Sequence, residues 1–197
     1  MIVKKNLILA SASPRRQALL RQMGLIFDVR ASNVDENNIG IQNPKEHVLA
    51  LSERKAQDIA KCVEEGIVIG ADTIVVLEGK ILGKPSDHND AYGMLMALSG
   101  RWHEVYTGLT LIDRPSNQII SATERTRVKF RTLEEGEIVE YIQSGAPLDK
   151  AGAYGIQDDY GAVFVEKIDG CFYNVVGFPL TKFYLIFLEF QKQLGLL

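Results

Sequence analysis

Apolar residues in this chain follow two spacings: short runs rich in β-branched and aliphatic side chains, and longer stretches in which they recur every third or fourth position. Residues 6–10 read as a first strand. It passes into a helix whose start is marked by Ser13 as N-cap and Pro14 at the first helical position. Residues 26–30 read as a second strand, followed by a polar loop through Asn43. There Asn43-Pro44-Lys45-Glu46 has the form of a capping box, opening a helix with Val48, Leu49, Leu51, Ala56, Ile59 and Val63 on its apolar side. Residues 67–77 form a nearly unbroken β-branched run, the pattern of a strand buried on both faces. Glu78-Gly79-Lys80 then turns the chain back into Ile81-Leu82.

Ser86 predicts the cap of a further helix, with Ala91, Met94, Leu95 and Leu98 inward and Gly100 as its stop. Two extended stretches follow, 103–112 and 119–130, joined by a turn at Arg114-Pro115-Ser116-Asn117. Thr132-Leu133-Glu134-Glu135 predicts a second capping box, and Gly145 ends that helix. Residues 162–168, the Asp169-Gly170 turn and residues 172–176 read as a hairpin. A last amphipathic helix follows Pro179, with Leu180, Phe183, Phe187 and Phe190 as its stripe. This order predicts an α/β fold with a mixed central sheet and flanking helices, not a simple doubly wound repeat.

Composition narrows the function classes. A length of 197 residues suits one domain or two tightly joined lobes. With no repeat, low-complexity tract or linker, the whole chain reads as a single domain. A formal charge of −3 provides no basic field for nucleic acid, so phosphate recognition would fall to a few local cations. No segment approaches the ~20 apolar residues of a membrane span, and the short apolar run at residues 6–10 suits a strand better than a signal peptide. Cys62 and Cys171 stand far apart without a paired motif, which fits a reducing cytoplasm. His47, His88 and His103 lack zinc-ligand spacing and read as surface or structural residues.

Four places could carry chemistry. Ser11-Ala12-Ser13-Pro14-Arg15-Arg16 puts hydroxyls, guanidinium groups and free backbone N–H groups at a helix start, a setting for polyphosphate. Taken alone, an ordinary N-cap with two solvated arginines is the better reading. No Gly-rich loop with Lys-Ser/Thr is present, which excludes a P-loop. Asp72, in Gly70-Ala71-Asp72-Thr73, is a carboxylate inside the most apolar stretch, where burial is costly unless a cation or metal meets it. A catalytic acid and a structural ion pair are about equally good readings there. Asp35, Glu36, Lys55 and Lys84 are scattered charges, of which Lys84 is singled out by the flanking Gly83 and Pro85. In Asp149-Lys150-Ala151-Gly152-Ala153-Tyr154-Gly155-Ile156-Gln157, small residues permit close ligand approach, and the Gln157 amide offers both a donor and an acceptor. A Gly-rich connection with a surface amide is the plainer account of that pattern.

Taken together, these blocks resemble the Maf family of nucleotide pyrophosphatases. The resemblance runs through residues 7–16, Ser52-Glu53-Arg54-Lys55-Ala56, residues 69–75, Gly83-Lys84-Pro85, Leu98-Ser99-Gly100-Arg101, residues 149–157 and Val176-Gly177-Phe178-Pro179-Leu180, nearly the whole chain. It implies an inosine triphosphatase-like α/β architecture with two lobes around a cleft. It also implies hydrolysis of dTTP and UTP, and possession of a divalent metal, Mg²⁺ or Mn²⁺. By the same resemblance Asp72 corresponds to the general base and Glu36, with Asp72, to the metal-side carboxylates. Ser11, Arg15, Arg16, Lys55 and Lys84 correspond to phosphate contacts, and Arg15, Thr73 and Gln157 to the positions of base choice. The chain departs from the family after Gln157, where Asp158-Asp159-Tyr160-Gly161 stands in place of an immediate Gly and puts two extra carboxylates beside the base pocket. The family is often dimeric, so a homodimer is among the implied assemblies. Its historical link to septum formation supplies a second function class, a nucleotide-binding regulator without turnover.

Overall fold

The computed structural model describes residues 4–36, 40–157 and 159–197, with Asp159 described through its backbone alone. The elements in chain order are β1 (Leu7–Leu9), α1 (Pro14–Gln22), β2 (Asp28–Val29), α2 (Pro44–Ala60), β3 (Gly66–Leu77), β4 (Lys80–Leu82) and α3 (His88–Leu98). There follow β5 (Trp102–Arg114), β6 (Ile119–Phe130), α4 (Glu135–Gln143), β7 (Val165–Asp169), α5 (Phe172–Val176) and α6 (Leu180–Gln193). Seven strands pair in the order β2-β1-β3-β5-β6-β7, with β4 on β3. β1 runs parallel to β2 and β3, whereas β4 is antiparallel to β3 and β7 to β6. The fold is the α/β class with a mixed sheet and flanking helices that the hydrophobic pattern predicts. Among the described residues, no helix is long and apolar enough to cross a membrane.

The chain forms two compact units. The first comprises the described residues up to Asp72 with Thr107–Glu124 and Gly177–Leu197, and the second Thr73–Tyr106 with Arg125–Val176. In the first unit Ile8, Ala10, Val68 and Ile112 meet Ala56, Ile59 and Ala60 of α2 in one cluster. Phe183, Phe187 and Phe190 of α6 are fully buried, as their stripe predicts. Helix α2 approaches the strands at two glycines. A Cβ on Gly70 would collide with the Ser52 carbonyl oxygen and lie 2.8 Å from the Ala56 methyl, and one on Gly108 would collide with the Val48 carbonyl. The Ser52 hydroxyl donates to Leu49 O at 2.9 Å and meets Thr110 Oγ1 at 2.9 Å, and Thr110 Oγ1 meets the exposed Ser121 Oγ at 3.0 Å, so the buried Ser52 and Thr110 hydroxyls are both satisfied.

In the second unit, Ala91, Leu95 and Leu98 of α3 pack with Ile138, Tyr141 and Ile142 of α4 and with Phe130 and Phe164. His103, also here, is buried among Phe130 and Tyr154, and burial pushes its pKa down to about 3. In the unfolded chain His103 takes up a proton as pH falls through 6.5; in the folded protein it does so only near 3. The stability it contributes is therefore present above pH 6.5 and is lost progressively as pH falls towards 3. From about pH 7.5 to about pH 5 the loss attributable to this group is about 2 kcal/mol. Urea unfolding at both pH values should show the parent losing that much more stability than His103→Leu.

Four local expectations are corrected. Residues 172–176 form helix α5, not the return strand of a hairpin, and residues 162–164 lie in the short turn Asp159–Phe164 before β7. The cause is distant in sequence: Thr126 Oγ1 donates to the Cys171 carbonyl (3.1 Å) and accepts from its N–H (3.0 Å), while Asn174 Nδ2 donates to Val105 O (2.9 Å). Thr126 thus occupies both backbone groups of Cys171, where a returning strand would begin, and the Asn174 side chain fixes the segment that follows. Helix α3 is capped by Asp87, which accepts from Asp90 N at 2.9 Å, while the Ser86 N–H donates to the Asp90 carboxylate. Helix α4 starts after Glu134, whose N–H donates to Glu137 at 2.7 Å, because Leu133 N is already held by Ser99 Oγ at 2.8 Å. The second strand is confined to Asp28–Val29, with Ile26 left on the surface.

Candidate active site

Asp72 lies on β3 two residues beyond Gly70, hence on the same face of the strand. Because Gly70 admits the α2 backbone, the buried stripe Ser52, Lys55, Ala56 and Ile59 lies against that face. Lys55 is thereby delivered to Asp72: its Nζ stands 2.7 Å from Asp72 Oδ1 and 2.7 Å from Glu36 Oε1. The three side chains differ in exposure, 7% for Asp72, 8% for Lys55 and 42% for Glu36. Solvent thus reaches the group from the Glu36 side. Asp72 Oδ2 is buried without a hydrogen-bond partner among the described residues. A buried, unpartnered carboxylate oxygen is costly unless something else is to meet it.

Arg16 comes to the same strand from α1. Its Nη1 donates to Ala71 O (2.8 Å) and to Ser11 Oγ (3.2 Å), and its Nε donates to Gly177 O (3.1 Å). The guanidinium therefore ties the residue preceding Asp72 to the end of β1 and to the chain entering α6. Burial lowers its pKa from the ordinary value, Asp72 and Glu36 draw it up, and Arg15 pushes it down. An arginine stays charged at neutral pH under such shifts. The N–H of Ser13 also donates to Ser11 Oγ at 3.2 Å, and Ser13 accepts from Arg16 N, so this turn is built as an N-cap.

Five of the candidate residues, Ser11, Arg16, Glu36, Lys55 and Asp72, are thus assembled around the middle of β3 in the first unit. Arg15 is a partly buried neighbour of Arg16. Thr73, Lys84 and Gln157 belong to the second unit. Thr73 is partly buried on β3, and Lys84 and Gln157 are exposed. Within that unit the Gly152 N–H donates to Gly83 O at 2.9 Å, joining the chain beside Lys84 to the segment that leads to Gln157. Asp158 and the Asp159 side chain lie outside the described residues, so the departure from the family at those positions has no structural counterpart here. The carbonyls of Ala71 and Gly177 went unread in the sequence, as backbone acceptors leave no residue-type signal. Gly177 does leave a trace, since its φ of 116° suits glycine alone.

Removing the Lys55 ammonium leaves a buried carboxylate without its direct counter-ion. Lys55→Ala is expected to cost about 3 kcal/mol of stability, read from urea unfolding at neutral pH. Lys55→Arg, which keeps the charge, should lose less.

The fold and this assembly define a class: an α/β protein in which a carboxylate in a central strand is paired with an ammonium from one helix, while a guanidinium from another holds the preceding carbonyl. The chain belongs to the Maf-like protein family, whose description matches residues 6–190. It is similar to the dTTP/UTP pyrophosphatase of Carboxydothermus hydrogenoformans, at 50% identity over 179 residues, 91% of this chain and 95% of that protein. The dTTP/UTP pyrophosphatase of Clostridium botulinum (strain Kyoto / Type A2) is 49% identical over 194 residues, 96% of this chain and all of the relative. That of Caldicellulosiruptor bescii is 47% identical over 182 residues, 90% of this chain and 91% of its own.

Proposed function

We propose that this chain hydrolyses dTTP and UTP to the nucleoside monophosphate and pyrophosphate. The observation that carries the reading is Asp72: a buried carboxylate with one oxygen on Lys55 and the other unpartnered, beside the Arg16 guanidinium. The names of the relatives supply the substrate class. Asp72 takes a proton from a water whose oxygen forms a bond to the α-phosphorus, and the bond from that phosphorus to the bridging oxygen breaks. Pyrophosphate leaves with the electron pair, its charge offset by Arg15 and Lys55. Arg16 holds Ser11 and the Ala71 carbonyl in place while contributing its own positive field.

Two carboxylates held together on one ammonium, one of them with a free buried oxygen, fit the sparse protein ligation of Mg²⁺ or Mn²⁺. Among the described residues no three His, Cys, Asp or Glu gather to hold a metal. Glu36 and Asp72 would hold the ion, which when bound supplies Lewis-acid neutralisation of the phosphates. Gln157 is assigned to the base: thymine and uracil share an edge with a carbonyl oxygen beside an N–H, and one amide can meet both.

Chromatography of the products of dTTP and UTP, with and without Mg²⁺, tests the proposal. Monophosphate and pyrophosphate without intermediate diphosphate are expected, with activity abolished by chelator. Orthophosphate and diphosphate would overturn the bond assignment. Nucleotide binding without turnover would instead establish a regulator.

A further inference from the structure

The run Gly152–Ile156 is buried at every position, and Gln157 at its end is exposed. Several contacts grip this run within the second unit. A Cβ on Gly152 would lie 2.8 Å from a Val75 methyl, and one on Gly161 would lie 2.6 Å from Gly155 O, so the main chain is closely walled at two points. The remaining grip is polar and central. Tyr154 Oη and His103 Nε2 stand 2.8 Å apart, both residues buried, and Phe130 meets the two rings edge-on at centroid distances of 4.7 Å and 4.9 Å.

Apolar side chains of equal size would fill this space at lower cost. An imidazole buried without a partner for its Nδ1, as His103 is among the described residues, is an expensive core residue. What the pair adds is direction, because a hydrogen bond sets the depth and rotation of the Tyr154 ring to a few tenths of an ångström, whereas apolar packing tolerates sliding. Three residues further on, that constraint becomes the position of the Gln157 amide.

We infer that His103 and Tyr154 are a positioning pair that sets where Gln157 is presented and so determines discrimination between pyrimidine and purine nucleotides. The inference rests on the assignment of Gln157 to the base. Neither residue touches substrate, and both act through the main chain of residues 154–157. Since an amide reads a base edge only within hydrogen-bonding distance, a small displacement is enough to weaken selection while leaving the phosphate chemistry intact.

Four proteins are compared: the parent, Tyr154→Phe, the double variant His103→Leu/Tyr154→Phe, and Gln157→Ala. For each, kcat and KM are measured with dTTP and dGTP, together with Tm and hydrogen exchange of the amides of residues 152–157. Tyr154→Phe is expected to lower Tm and to reduce the dTTP-over-dGTP preference about tenfold, mainly through KM for dTTP. The double variant removes the orphaned imidazole, so Tm should recover while selectivity stays low and exchange in 152–157 stays fast. That split is what a merely structural pair does not produce. Selectivity returning together with Tm overturns the inference, as does unchanged exchange in the double variant. If Gln157→Ala loses selectivity and Tyr154→Phe keeps it, the base assignment stands and the positioning role falls. Selectivity retained in Gln157→Ala identifies the base assignment as what failed and overturns the inference with it.

Discussion

Asp72→Asn is expected to lower kcat for dTTP about a thousandfold while the protein remains folded. The carboxamide has the shape of the carboxylate, and its oxygen can still accept from Lys55 Nζ, which now stands 2.7 Å from Asp72 Oδ1. Lys55 also keeps its ion pair with Glu36. The packing of α2 on β3 is therefore preserved. What disappears is the basicity of the second oxygen, the one buried without a hydrogen bond. An amide cannot take the proton of an attacking water, and it is a poorer ligand for a divalent ion. Steady-state rates measured beside thermal melts separate these contributions from unfolding. A variant that melts like the parent and turns over like the parent would remove Asp72 from the mechanism. In the same assay Lys55→Ala should regain part of its lost stability with millimolar Mn²⁺, since a divalent ion bound to the folded state can replace the ammonium.

Gly70→Ala is expected to destabilise by about 4 kcal/mol or more, a large effect for one methyl group. The added Cβ would meet the Ser52 carbonyl oxygen, the Ala56 methyl at 2.8 Å and the Ala56 nitrogen at 3.0 Å. Two of these are helix backbone atoms, which cannot rotate away as a flexible side chain would. Relief requires the whole of α2 to lift from β3, which also strains the Ser52–Thr110 hydroxyl contact and draws Lys55 away from Asp72. Gly136→Ala provides the contrast. It sits in the first turn of α4 with nothing within 4 Å of the added methyl, and alanine there should be neutral or stabilising by up to about 1 kcal/mol. Urea unfolding of both variants checks the pair. Equal stability for the two would show that helix and strand are looser at Gly70 than the packing indicates.

Both predictions depend on a distinction between local and distant information in the chain. Local chemistry is written where it acts. Ser13-Pro14 starts α1, Asn43 caps α2 through Lys45 N and Glu46 N, and the phenylalanine stripe marks the buried face of α6. The nearly unbroken apolar run of β3 declares burial on both faces, so an aspartate inside it stands out as a group needing a partner. These features are legible because helix caps, periodicity and strand composition involve residues only a few positions apart.

Tertiary structure chose the partners. Whether Asp72 met a metal-like locus or a structural cation was open in the sequence, and the fold gave it Lys55, 17 positions earlier, shared with Glu36. Arg16, read as a phosphate contact, directs Nε and Nη1 to protein, one bond reaching Gly177, 161 residues away. Residues 172–176 carry a hairpin pattern, yet Thr126, 45 positions upstream of Cys171, turns them into a helix by occupying its backbone groups. The physical reason is common to all three. A short segment specifies its own backbone conformation through neighbouring residues, but the polar groups it buries must be satisfied by whatever packing brings near, and that is decided by the whole chain at once.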